Sequence, residues 1–151
     1  MAHFPVNHPA RPIYRAIGGL TGLYLTAFGV LGAVTTLGDE LFAQDDTKVL
    51  GQGANLGFSL VALVVGAAIL AGTALGRNRD VAINKGTAYG LMALSLFELA
   101  FLQTDVNIFN FSIATVIVIM VLGLVLLTAA LYGKVGTDEE HKAWQEARLV
   151  L

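Results

Sequence analysis

One carboxylate stands where carboxylates are costly. Glu98 lies in the apolar run GTAYGLMALSLFELAFL, residues 86–102, with no other acid or base beside it. In a membrane such a group must be protonated, paired, or turned toward a wet cavity. Its chemistry would be proton relay or cation binding, and the plainer use is a single structural hydrogen bond. Thr115 is the expected partner, since it lies at similar depth across a short turn.

Other chemistry lacks its parts. His3 and His8 could begin a metal site, but no third ligand lies near them, and a solvated tail is the simpler reading. Asp39, Glu40, Asp45 and Asp46 crowd one loop without the alternating spacing of a calcium loop. With no cysteine, thiol nucleophiles, disulfides and thiolate-held metals are excluded. No histidine falls within an apolar run, so a haem held by two histidines in the membrane is not expected. No Ser-His-Asp set or phosphate-cradling loop appears. The sequence implies no enzyme, no metal and no cofactor. Asp105, Asn107 and Asn110 fit a turn, where capping the following helix is their ordinary role.

The elements that must position Glu98 are apolar helices. The run FSIATVIVIMVLGLVLLTAALY, residues 111–132, has no charge and no proline. As a helix it reaches roughly 33 Å, enough for a hydrocarbon core of ~30 Å. Its β-branched residues would suit a strand, but a lone strand in lipid leaves its backbone unpaired. Weaker runs at about 16–36, 56–75 and 86–102 give three further spans. The third reaches only roughly 25 Å and needs polar ends or a locally thinned bilayer. The first follows two arginines, as in a signal peptide, but it is long and no small-residue cleavage site follows. Residues 1–15, with all three prolines, read as an extended cytoplasmic tail. The domain proper covers 16–136, and 137–151 read as a short helix begun by a Thr137/Glu140 capping box. In that helix Trp144, Ala147 and Leu151 share a face.

Composition agrees. Of 151 residues, 56% are hydrophobic and 13% charged, which departs from soluble globules, and the net charge of −2 with scattered basic residues argues against a nucleic-acid partner. Eight of the nine lysines and arginines fall in the N-tail, second loop and C-tail, so both termini are expected in the cytoplasm. Small residues form helix-packing ridges: Gly18 and Gly22, Gly29 and Ala33, Ala68, Gly72 and Gly76, and Gly86 and Gly90.

Some of these ridges recur. Gly18-x-x-x-Gly22-Leu23 matches Gly86-x-x-x-Gly90-Leu91. Gly66, Leu70, Gly76 and Arg77 match Gly123, Leu127, Gly133 and Lys134. Phe58-Ser59 and Phe111-Ser112 each follow an asparagine. The expected fold is therefore all-α: an integral membrane four-helix bundle made of two tandem parallel-repeat hairpins.

The segments NHPARPIYR, VLG, TDVNIFNFS and LYGKVG resemble a family of small four-helix bacterial membrane proteins classed as a domain of unknown function. The resemblance covers the chain to Gly136. It implies four spans in a bacterial plasma membrane and carries no activity or ligand residues. The residues themselves imply a non-catalytic protein whose partners are the lipid bilayer and a second copy or a larger membrane complex. The alternative is a small transporter or channel using Glu98.

Overall fold

The computed structural model describes residues 4–149, with side chains to 147. His3 and Leu151 therefore lie outside the described residues. The fold is all-α, 68% helical. Its helices are α1 (Arg11–Thr35), α2 (Leu56–Leu75), α3 (Arg79–Phe101), α4 (Ile113–Tyr132) and α5 (Asp138–Leu149). Helices α1, α2 and α4 are long and apolar enough to cross a membrane. Helix α3 is as long, but Arg79, Asp80, Lys85 and Glu98 lower its apolar character.

Two helices begin earlier than their apolar runs. Pro12 lies in the first turn of α1, where its fixed φ suits a helix and its missing N–H costs nothing, so the last proline of the tail is helical rather than extended. Helix α3 starts at Arg79, with Asp80 in its first turn. There an acid meets the positive end of the helix dipole. The charged residues that ended the expected span are thus part of the helix.

Helices α1 and α2 pack as one hairpin, α3 and α4 as another, and the hairpins meet through α2 against α3 and α1 against α4. Leu25, Phe28, Ile69, Ala88, Ile119 and Leu126 are buried at the centre.

The two hairpins use one packing device. A Cβ on Gly66 would stand 2.5 Å from the Thr26 nitrogen and 2.8 Å from the Gly22 carbonyl oxygen. A Cβ on Gly123 would meet Met92 Cγ at 2.6 Å and the Ala88 carbonyl oxygen at 3.2 Å. Only glycine lets the backbones come this close. Helices α2 and α4 have 20 residues each, a polar N-cap (Asn55, Ser112) and a glycine C-cap (Gly76, Gly133). The separation in sequence is the same for the caps at both ends and for Gly66 with Gly123.

The odd helices align differently from the glycine spelling. Since Gly66 rests on Gly22 and Gly123 on Ala88, Gly22 corresponds to Ala88 and not to Gly90. On that offset Gly18 pairs with Asn84, Leu25 with Leu91, Gly29 with Ser95 and Gly32 with Glu98, all buried. Gly86 and Gly90 have nothing within 4 Å of a Cβ, so they pack on no other helix among the described residues. Ala68 is exposed as well. Gly18, Gly22, Gly72 and Gly76 do lie at contacts, against Asn84, Ile69, Ile83 and Arg15.

The end of the molecule carrying the 36–55 and 102–112 linkers is covered by a small antiparallel hairpin, β1 (Lys48–Val49) and β2 (Gln52–Gly53). Its turn residues Leu50 and Gly51 both have positive φ (50° and 79°), the two-residue geometry that matches strand twist. Val49 is buried, while Leu41, Phe42 and Leu50 keep about half their surface.

Candidate functional site: two buried acids on one helix

Helix α3 carries a buried acid near each end. Asp80 is 3% exposed and Glu98 0%. Their surroundings differ in kind.

At the end where α1 begins and α4 finishes, Asp80 Oδ2 lies 3.4 Å from Arg11 Nη2 and 3.8 Å from Arg15 Nε. Arg11 and Arg15 are one turn apart on α1, so both reach the same side. Arg11 Nε also donates to the Gly133 carbonyl at 2.9 Å, at the end of α4. Arg15 donates through Nε and Nη2 to the Thr73 carbonyl in the last turn of α2. Carbonyls at helix C-termini lack partners within the helix and carry the negative end of its dipole, so two guanidiniums fit them. Asp80, at the positive end of α3, completes the set. All four long helices are tied by three side chains.

Two asparagines with positive φ hold the segment after α4 to the same end. Asn78 Nδ2 donates to the Val135 carbonyl at 2.7 Å, and its Oδ1 accepts from the Val135 amide at 2.8 Å. Asn7 grips Gly136 in the same two-way manner, at 3.0 and 3.1 Å. His8 has a local role: its Nδ1 accepts from the Ala10 amide at 3.1 Å, and its ring meets Tyr14 and Tyr132 edge-on.

Glu98 sits in the last turn of α3, where its position corresponds to Gly32 of α1. Neither carboxyl oxygen has a hydrogen-bond partner among the described residues. The expected Glu98–Thr115 bond is not made. Thr115 Oγ1 instead donates to the Gly53 carbonyl at 2.8 Å, fixing the β-hairpin to α4. Ser95, one turn before Glu98, donates to the Val116 carbonyl at 2.8 Å, across the α3–α4 contact. Ser59 donates to its own helix, at the Asn55 carbonyl, also at 2.8 Å. Ser59, Ser95 and Thr115 thus each place the hydroxyl proton on a backbone oxygen, and Ser112 pairs with the Thr115 hydroxyl at 3.0 Å.

The loop asparagines are spent in the same way. Asn55 caps α2 through Oδ1 and donates to the Ile108 carbonyl at 2.8 Å. Asn107 does not cap α4. It bridges the Leu102 and Phe111 carbonyls and accepts from the Phe111 amide, closing the α3–α4 turn on itself. Ser112 caps α4 in a reciprocal box with Thr115. Asn110 holds the Asp45 carbonyl, and Asp45 turns its carboxylate to the Thr47 amide. Asp39, Glu40 and Asp46 are exposed.

Glu98 was legible as a charge in an apolar run. Asp80 was not, because it lies among Arg77, Arg79 and Lys85 and reads as loop charge. The available signal was the Arg11/Arg15 pair, spaced one helical turn apart just before the first apolar run. No family model, curated protein or solved structure matches the chain.

Proposed function

We propose that this is an integral membrane protein that crosses the bilayer four times as a four-helix bundle of two tandem parallel hairpins, with both termini cytoplasmic. Its role is non-catalytic: it packs with a second copy or within a larger membrane complex. One observation carries the membrane reading. Leu20, Leu23, Val30 and Val34 on α1, Leu60, Val61 and Val64 on α2, and Ile113, Ile117, Val121 and Leu124 on α4 are all exposed. A soluble monomer rarely shows so continuous an apolar skin, and lipid is its natural solvent.

Helix α3 joins as the fourth span because most of its polar residues turn inward, with the exposed Arg79 and Lys85 confined to its first two turns. Asp80, Asn84, Ser95 and Glu98 are buried, while Ala82, Tyr89, Ala93, Leu96 and Phe97 face out. Its 23 residues reach roughly 34 Å. The eight-to-one division of basic residues supports the orientation. The accessory role is supported by polar side chains spent on tying helices and caps together.

Single cysteines at Asp46 and Asp138 test the topology. A membrane-impermeant thiol reagent on whole cells should label position 46 and spare 138, and the reverse pattern would overturn the orientation. Purification in mild detergent should yield an oligomer or a defined complex. A lone monomer that drives ion flux in liposomes would instead favour the transporter reading, whose support is Glu98.

A further inference from the structure

Glu98 does nothing in the accessory reading, yet it occupies a position that glycine fills in the other hairpin. We propose that Glu98 is a proton-binding site, a carboxyl held as the neutral acid beneath the loop cap.

The argument is an inventory of donors. An ionised carboxylate is acceptor-only and needs donors at both oxygens. The hydroxyls of its layer (Ser59, Ser95 and Thr115) give their protons to the Asn55, Val116 and Gly53 carbonyls. The amides of Asn55 and Asn107 are likewise committed to carbonyls. Both Glu98 oxygens stay without a hydrogen-bond partner among the described residues, in a side chain with no exposed surface. The last turn of α3 adds its own term, since a negative charge there opposes the helix dipole. No cation offsets it. Helices α1, α2 and α4 and the β-hairpin bring no described buried carboxylate, amine, guanidinium or imidazole to this layer. The charged groups of that end (Asp39, Glu40, Asp45, Asp46, Lys48 and Asp105) are exposed, and the phenol oxygen of Tyr24 accepts from Gln52 Nε2. A proton needs no shell of ligands, so it fits a layer packed this tightly. A metal ion would need several oxygens turned toward it.

Asp80 is the internal control. It is equally buried on the same helix, but two arginines face it, and it lies at the favourable end of the dipole.

The experiment uses the full chain in lipid nanodiscs. Infrared difference spectra of wild type against Glu98→Gln should show the C=O stretch of a neutral carboxylic acid at neutral pH, lost on strong alkalinisation. Asp80→Asn should leave that band in place. N,N′-dicyclohexylcarbodiimide gives a second readout. The acid adds across a C=N bond, its proton going to nitrogen and its oxygen to the central carbon, and an acyl shift to nitrogen leaves a stable acylurea. Nothing leaves and nothing is oxidised. Peptide mass spectrometry should find the adduct on Glu98, falling several-fold as pH rises, while a water-soluble cationic carbodiimide marks the exposed acids and spares Glu98. Absence of the neutral-acid band would overturn the proposal. So would Glu98 reacting with the water-soluble reagent as fast as the exposed acids. Protection by sodium at constant pH would overturn it in favour of a metal cation. None of these readouts depends on topology or oligomeric state, so the inference and the accessory role fail separately.

Discussion

The two ends of α3 pose one problem and answer it in opposite ways. At its first turn a buried acid is met by two arginines that also hold the ends of α2 and α4. At its last turn a buried acid meets no hydrogen-bond partner among the described residues. The first arrangement makes charge a fastener: without Asp80, two guanidiniums would still face helix ends but lose the acid that balances them. The second makes charge unaffordable, which leaves a neutral carboxyl as the form that fits. Burial alone therefore does not say whether an acid is structural. The donors turned toward it do.

The sharpest way to break this contrast is to delete each acid. Asp80→Ala should destabilise the protein by about 2–3 kcal/mol, below the ~3–5 of a fully buried pair because both guanidiniums keep some contact with water. Glu98→Leu should stay within about 1 kcal/mol of wild type or gain slightly, since a buried polar group without a partner is a cost. Unfolding titrations in detergent would measure both. Equal losses would mean that Glu98 holds the fold as Asp80 does.

A second test sharpens the comparison between hairpins. Gly66→Ala places a Cβ 2.5 Å from backbone and hydroxyl atoms of Thr26, which cannot yield without moving a helix. It should cost about 1–3 kcal/mol by overpacking. Gly86→Ala meets open space and should stabilise by up to about 1 kcal/mol, through the better helix propensity of alanine. If Gly86→Ala proved as damaging as Gly66→Ala, the face of α3 bearing Gly86 would be packed after all, and the register of the odd helices would revert to the glycine spelling.

That register shows where sequence stops being readable. The apolar run of α4 and the matched Gly66 and Gly123 are legible because a charge-free stretch and a close backbone contact each demand particular residue types. The odd helices are not, because identical glycines drew Gly18 onto Gly86, whereas the residue buried at the equivalent place is Asn84. Glycine is permitted at a tight contact and also where nothing touches it, so its presence does not say which. The site shows the same limit. Glu98 stands out against leucine and phenylalanine, but depth along a helix cannot tell which carbonyl Thr115 will choose. Asp80 is hidden because its partners lie on α1, far off in sequence.

The smallest expected effect lies outside the helical core, at α5, where an acid is partnered in full view of solvent. Glu140 Oε2 accepts from the Thr137 amide at 3.0 Å, Thr137 Oγ1 accepts from the Glu140 amide at 3.2 Å, and Lys134 Nζ lies 3.2 Å from Glu140 Oε1. The Thr137 amide first, and then Lys134, holds the Glu140 carboxyl below its ordinary range. A lowered folded-state value means that the capping box adds stability above the unfolded carboxylate range and loses it as pH falls through the folded one. Protection of the Thr137 amide against hydrogen exchange, corrected for intrinsic rate, should therefore hold at neutral pH and drop at acidic pH, below the point where a free glutamate is already protonated. Glu140→Gln should lower the neutral-pH protection and flatten its pH dependence. The partnered acid, exposed to water, would then be ionised where the unpartnered, buried Glu98 stays neutral, which is the contrast of α3 repeated at the surface. A Glu140→Gln profile that still dropped with acid would mean that another group opens α5, and Asp138 and Glu139 in the same first turn are the next to replace.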